Sequence, residues 1–110
     1  RLDGVTGVQT CALPIYDKDS PAAIQAMDLF AQILGTECAN MFFKLFAVGG
    51  VYLGGGIPPK ILPLLKSKTF KQAFLSHRVL PDLLKRIPVR VILNDDTALE
   101  GAAVYATHFL

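Results

Sequence analysis

The chain has 110 residues, enough for one domain, and 52% of them are apolar, enough to build a core. Eleven basic residues against nine acidic ones give a net charge of +2, with no basic cluster. This balance argues against nucleic acid as a partner. The chain begins at Arg1 and not at methionine, so we expect a piece of a longer protein.

Residues 1–16 are predicted not to belong to the fold of residues 17–110. Val5–Ile15 has neither a helical nor a strand period, and it resembles the in-frame translation of a common sequencing-library adapter. Segments of that origin are excluded from fold reasoning. A divergent loop of the natural protein stays open as the alternative. A secretory signal is disfavoured because no charged region precedes a continuous apolar core.

A long amphipathic helix is predicted to follow Ser20–Pro21, an N-cap residue and a proline at the first helical position. Gly35 is a point at which this helix could break into two. Aromatic residues widen the apolar surface beyond a narrow seam, which favours burial inside a domain over a coiled coil. The predicted buried stripe, with spacings of three and four, is Ile24, Met27, Ala31, Leu34, Cys38, Met41 and Leu45.

The cysteines and histidines predict neither a disulfide nor a metal site. If Cys11 is foreign, Cys38 remains alone, and its place on an apolar stripe predicts a small buried residue. His77 and His108 have no Cys or His at zinc-ligand spacing, so we interpret both as solvated or incidental side chains. Nothing requires an oxidising compartment.

The apolar stretch Met41–Ile57 is not predicted to span a membrane. Lys44 and several glycines interrupt it, and the uncharged run up to Lys60 is shorter than the ~20 residues that a span needs. We therefore expect no membrane partner.

A strand, a glycine turn and a helix start are predicted over Gly49–Lys60. Val51–Leu53 has the composition of a short buried strand. The glycines at positions 54–56 let the backbone turn sharply and approach a ligand without a Cβ in the way. Ile57–Leu65 is then predicted to form a short helix. A helix N-terminus after such a turn is a common place for a nucleotide or an anion.

The sequence of this turn does not match either of two known nucleotide-binding motifs. The dinucleotide fingerprint would need a glycine where Pro59 stands. The phosphate loop needs Lys-Ser or Lys-Thr after its last glycine, whereas Gly56 is followed by Ile57. A tight turn with no ligand therefore stays open.

The C-terminal half is predicted to contain short helices, one strand and a final helix. Thr69 can cap a second short helix, and Leu80–Lys85 forms a third. Ile87–Leu93 is the second strand, with Pro88 near its start, where a ladder tolerates proline. Asn94–Asp96 ends this strand and caps the last helix. Two strands joined by helices predict a parallel crossover unit.

Residues 51–62, Val-Tyr-Leu-Gly-Gly-Gly-Ile-Pro-Pro-Lys-Ile-Leu, resemble the C-terminal adenosine motif of bacterial glucokinases. The resemblance continues through Phe70–Phe74, Ile87–Asn94 and Leu99–Tyr105. Upstream, Ala26–Gly50 matches the long helix that leads into this strand. The match runs from about Asp17 to the C-terminus, in order and without obvious gaps.

The resemblance implies an α/β fold, the C-terminal part of an actin-like (ribonuclease-H-like) ATPase domain, with helices packed on a small, incomplete parallel sheet. Residues 17–110 would be the C-terminal portion of the large domain of a glucokinase. The parent would transfer the γ-phosphate of ATP to the 6-hydroxyl of glucose or a related hexose, with Mg²⁺. The resemblance implies a cytoplasmic protein and leaves a homodimer open.

By the same resemblance, Gly54, Gly55, Gly56, Ile57 and Lys60 would bind the adenosine part of the cofactor. Gly54 commonly aligns with alanine in relatives. The phosphate motif D-x-G-G-T, the catalytic Asp and the sugar-binding residues lie upstream in the family, so no catalytic residue is expected here. Most of the Mg²⁺ binding would also lie upstream, and the fragment alone would be inactive.

Two further stretches are interpreted through the resemblance. Asn94–Asp95 occupies a helix-capping loop of the family and is not the catalytic Asn-Asp pair. Glu100 stands where a leucine is usual and would either reach solvent or weaken packing.

The segment between the two predicted strands, here called the basic connector, carries several basic side chains. We interpret it as a solvated face, with attraction of ATP phosphates as the alternative. Its basic residues are Lys66, Lys68, Lys71, His77, Arg78, Lys85 and Arg86.

Three alternatives stay open. The chain could derive from a non-catalytic sugar-sensing relative or from another hexose kinase. It could be a structural or interaction module with a ligand-free glycine turn. It could also fail to fold stably, because two strands taken from a larger sheet leave unpaired edges.

Overall fold

The computed structural model describes residues 20–110, and the predicted boundary after residue 16 lies outside them and stays a prediction. The two strands are β1 (Val51–Leu53) and β2 (Val89–Val91). A short 3₁₀ turn spans Pro58–Ile61. The α-helices of the described part are α1 (Pro21–Leu45), α2 (Leu62–Leu65), α3 (Lys68–Leu75), α4 (Pro81–Leu84) and α5 (Thr97–Phe109).

The start of α1 is the predicted one. The Ser20 hydroxyl accepts a hydrogen bond from the Ala23 N–H at 3.4 Å, and Pro21 occupies the first turn, where its missing N–H costs nothing. The helix ends at Phe46, which adopts the left-handed conformation with φ of 49° and donates its N–H to the Phe42 carbonyl. The predicted N-cap is confirmed.

Helix α1 runs unbroken through Gly35, so the long helix is confirmed and the possible break at Gly35 does not occur. Gly35 is buried where α1 crosses α3. A Cβ at this position would lie 2.7 Å from the Phe70 carbonyl oxygen and 3.0 Å from the Ala73 Cβ. The glycine therefore serves close helix packing, which outweighs its unfavourable helix propensity.

The buried stripe of α1 is rotated relative to the prediction because Gly35 faces α3. Met27, Ala31 and Cys38 are buried as predicted, and Phe42 is fully buried. Three predicted members of the stripe are instead largely exposed: Ile24 at 48%, Met41 at 46% and Leu45 at 68%. The remaining core comes from Ala39, Ile61, Leu65, Phe70, Phe74, Leu84 and Ile87.

The two strands pair in parallel, which confirms an α/β architecture with a small parallel sheet. Val51, Tyr52 and Leu53 lie opposite Val89, Arg90 and Val91. The valines and the leucine are half-buried against the core, whereas Tyr52 and Arg90 share the exposed face. The second strand is shorter than predicted, and Leu93 beyond its end is 64% exposed.

Two predicted caps differ in the structure. Thr69 lies inside the first turn of α3 and does not cap it; its hydroxyl donates to the Asp28 carboxylate at 2.8 Å and joins α3 to α1. Asp96 precedes α5 without a side-chain cap bond. Asn94 organises that end instead: its Oδ1 accepts the Asp96 N–H at 3.0 Å, and its Nδ2 donates to Glu100 at 3.2 Å.

Burial also sets the chemistry of Cys38. Its thiol is buried in α1, and burial, together with the neighbouring Glu37 charge, raises its pKa to about 11. The prediction of a small buried residue is confirmed. A thiol with so high a pKa is mostly protonated near neutral pH, so it is a poor nucleophile there.

We expect Gly35→Ala to destabilise the chain by about 1–3 kcal/mol, because the added Cβ forces α1 and α3 apart. The free energy of unfolding from urea titration followed by circular dichroism measures the effect. Gly101→Ala is the matched control, since α5 leaves open space around that position; it should be neutral or stabilising by up to ~1 kcal/mol. Equal effects of the two substitutions would contradict the packing role of Gly35.

We expect Thr69→Val to cost about 0.5–3 kcal/mol, because it leaves the half-buried Asp28 carboxylate without its hydroxyl donor. The same urea titration gives the value. Thr36→Val serves as the control, since that hydroxyl donates to the Gln32 carbonyl at an exposed site. A cost for Thr69→Val no greater than for Thr36→Val would show that the link between the helices is not stabilising.

In a Cys11→Ser variant, we expect Cys38 to react with a disulfide reagent at pH 8 at least ~10-fold more slowly in the folded chain than in urea. Its rate in the folded chain should continue to rise up to about pH 11, where the thiol ionises. Stability linked to this thiol is complete below the unfolded pKa and decreases as the pH rises towards 11. Equal rates in the folded and unfolded chains would contradict this burial.

Candidate functional site

The carboxyl ends of both strands meet at one edge of the sheet. Gly54–Gly56 follow β1, and Ile92–Asp95 follow β2, and parallel pairing brings these two segments to the same edge. In α/β sheets, ligands bind in the crevice outside the carboxyl ends of parallel strands. This edge is therefore the candidate site.

The glycine turn has one position that requires glycine for conformational reasons. Gly55 has φ of +108°, a backbone region that side chains rarely tolerate, and no atom lies within 4 Å of the place a Cβ would take. At Gly54 the nearest atom to that place is the Ile92 Cδ1 at 3.4 Å, an ordinary contact. All three glycines are exposed, so their backbone is open to a ligand.

The segment after the turn is not the continuous helix that was predicted over Ile57–Leu65. It is a 3₁₀ turn, Pro58–Ile61, followed by the single turn of α2. Pro58 and Pro59 carry no N–H, and the Lys60 N–H already donates to the Ile57 carbonyl at 2.9 Å. A helix N-terminus binds anions through free N–H groups, so this one is not an anion site.

What remains at this edge is a glycine backbone next to apolar surface. Ile57 and Lys60, which follow the turn, are half-buried, whereas Gly54, Gly55 and Gly56 are exposed. A bare backbone of this kind can lie flat against a planar ring or a sugar.

The basic connector lies outside the glycine turn, in α3 and in the segments that follow α2, α3 and α4. Six of its seven residues are exposed, which fits a solvated face. His77 is the exception, because its side chain is half-buried. Its ring packs 4.4 Å from the Phe43 ring centroid, and its Nδ1 accepts the Val79 N–H at 3.3 Å.

Asn94 lies in the loop after β2, and sequence reasoning treated it only as one member of a capping triplet. Its hydrogen bonds to Asp96 and Glu100 hold this loop. The Glu100 carboxylate is exposed and accepts this hydrogen bond. Sequence spacing alone could not show the partnership of Asn94 with Glu100, six residues away.

Within residues 20–110, no cluster of three or more His, Cys, Asp or Glu side chains could hold a metal ion. None of the helices in this range has the length and apolarity to cross a bilayer.

The sequence model of the family described as Glucokinase matches residues 6–109. The match begins inside the segment predicted to be foreign, on residues that the structure does not describe. No solved structure matches the chain, so the actin-like fold stays a prediction.

Among curated relatives, the chain is 46% identical to the glucokinase of Synechocystis sp. over 84 residues, which are 76% of this chain and 24% of that protein. It is 39% identical to the glucokinase of Nostoc punctiforme over 105 residues, 96% of this chain and 30% of that protein. For the glucokinase of Brucella suis biovar 1 the values are 40% over 90 residues, 82% and 26%. The chain spans less than a third of the length of these relatives, and on the family match it belongs to the glucokinase family.

Proposed function

We propose that this chain supplies the adenosine-binding part of a glucokinase, an enzyme that transfers the γ-phosphate of ATP to the 6-hydroxyl of glucose. The observation that supports it is the exposed glycine turn at the carboxyl end of β1, in which Gly55 adopts a conformation suited to glycine. Because the chain covers 24–30% of its relatives, the full reaction would belong to the longer polypeptide.

Each proposed site residue has a physical role. Gly54, Gly55 and Gly56 offer a backbone surface without side chains, against which an adenine ring or a ribose can lie. Ile57 adds half-buried apolar surface at the end of the turn. Lys60 is the cation of this segment, and its ammonium would compensate phosphate charge that the proline-blocked helix start does not bind.

Bound ATP would supply the phosphoryl group. Its transfer also requires a carboxylate base, a sugar-binding set and Mg²⁺. Residues 20–110 contain no cluster suited to a metal ion, and Asp95 is an exposed residue of the loop after β2. We therefore assign proton abstraction, sugar binding and most Mg²⁺ binding to the rest of a glucokinase polypeptide. On the family alone, we also propose a cytoplasmic enzyme, and the chain by itself should not phosphorylate glucose.

Titration of the chain with ADP should shift the backbone amide signals of Gly54, Gly55 and Gly56 in nitrogen–proton correlation spectra. Gly55→Val should weaken this binding at least ~10-fold, because it strains the backbone and places a side chain on the ligand surface. Gly49→Val is the control: it lies before β1, with open space around it and without a positive φ.

Two outcomes would contradict the proposal. Absence of glycine shifts at millimolar ADP would favour a structural module with a ligand-free turn. Equal loss of binding in Gly49→Val and Gly55→Val would show that the turn has no specific role.

A further inference from the structure

We propose that the core face of the sheet carries a binding site for an amphipathic anion, a fatty carboxylate with a single acyl chain. The site is a cavity of about 590 Å³ between the sheet and helices α2, α3 and α4. This volume is in the range of ~300–1,000 Å³ that is usual for sites of small ligands. Gly54, Gly55 and Gly56 do not line the cavity, so binding there does not depend on nucleotide binding at the glycine turn.

The side chains around the cavity exclude most polar ligands. Every described side chain that lines it is apolar except those of three lysines, and none carries a hydroxyl, an amide or a carboxylate. Sites that recognise sugars or nucleobases orient them with a few polar groups of those kinds. The lining therefore fits a ligand that is apolar apart from one negatively charged group.

The three lysines come from three different parts of the connection between the strands. Lys66 follows α2, Lys71 lies in α3 and Lys85 follows α4. All three are exposed although they line the cavity, so their apolar stems lie along it while their ammonium groups stay at its mouth, in contact with water.

Charge complementarity selects the anionic end of the ligand. Lys85 is already paired with Asp82, at 3.1 Å, whereas Lys66 and Lys71 are paired with no carboxylate of the described residues. Charges of one sign at the mouth of an apolar cleft attract an ion of the opposite sign. A carboxylate at the end of an acyl chain would place its charge between these lysines.

The interior of the cavity suits the acyl chain. The sheet contributes Leu53 and Val91, which are half-buried, and α3 contributes Phe70 and Phe74, which are buried. Each methylene group that enters such a surface is removed from water, which is favourable. The affinity should therefore rise with the length of the chain.

The cavity also gives part of the basic connector a specific role. Three of its residues line the cavity, and the other four do not. Lys68 is one of those four, and it lies in the same helix as Lys71, three residues before it. It is exposed like Lys71, so it provides a control for the effect of charge alone.

The test is titration of the complete chain with dodecanoate, followed by isothermal titration calorimetry at concentrations below those at which the ligand forms micelles. We expect one dodecanoate per chain, bound at least ~10-fold more tightly than octanoate, which has fewer methylene groups, and dodecanol, which has no charge. Equal affinities for the three ligands, or no saturable binding of dodecanoate, would overturn the proposal.

A matched pair of double variants tests the lysines. Replacement of Lys66 and Lys71 together by methionine should weaken dodecanoate binding at least ~10-fold, because it removes the positive charge at the mouth. Replacement of Lys44 and Lys68 by methionine changes the net charge equally at exposed sites that do not line the cavity, and it should leave the affinity unchanged. Equal losses in the two variants would overturn the assignment to this cavity.

A second pair tests the cavity by adding charge. Leu93→Glu places a carboxylate on the lining at a residue that is 64% exposed, and it should weaken dodecanoate binding at least ~10-fold by repulsion. Leu99→Glu makes the same change at a residue of α5 that is 71% exposed and does not line the cavity. Circular dichroism checks that both variants fold. Equal affinities of the two variants would contradict the site.

Two other occupants give distinct results. If the lysines attract the phosphates of a nucleotide, ADP displaces dodecanoate. If the rest of a glucokinase polypeptide fills the cavity, addition of the part of Synechocystis glucokinase that this chain does not match abolishes dodecanoate binding. Either result would overturn the proposal. Loss of dodecanoate binding leaves the ADP shifts of the glycine turn in place, so the two proposals fail separately.

Discussion

The close contact of α1 with α3 at Gly35 is the constraint on which the rest of the structure depends. Because position 35 has no Cβ, the backbone of α3 approaches α1 until the Phe70 carbonyl occupies that space. This approach buries Phe70 and Phe74 against Ala31 and Cys38 in one core. The Thr69–Asp28 hydrogen bond fixes the register of the two helices at the same crossing.

The crossing also positions the candidate site. Helices α2, α3 and α4 form the connection between β1 and β2, so the packing of α3 on α1 anchors the path by which the chain returns to the sheet. The parallel pairing that results places the glycine turn and the Asn94 loop at one edge. The candidate site is thus exposed backbone at the carboxyl end of a short parallel sheet.

Local features of the fold could be predicted from the sequence, whereas features that depend on a distant partner could not. The Ser20 cap, the buried Cys38 and the parallel crossover follow from residue types and short spacings. The roles of Gly35, Thr69 and His77 depend on Phe70, Asp28 and Phe43, and no periodicity encodes those contacts. The glycine turn was identified as a candidate site from its resemblance to a family motif. That the helix start after it offers no free N–H groups to an anion was predictable from the sequence, because the two adjacent prolines carry none.

Helix α5 has 13 residues and buries none of them; Leu99 and Phe109 are 71% and 70% exposed. A helix of this length is marginal in water, because the cost of nucleation is regained over few hydrogen bonds. A surface that covered its apolar side would supply stability that the helix's own hydrogen bonds do not. Folding of the C-terminal segment would then be coupled to that burial, and its helical content would report whether the apolar side is covered.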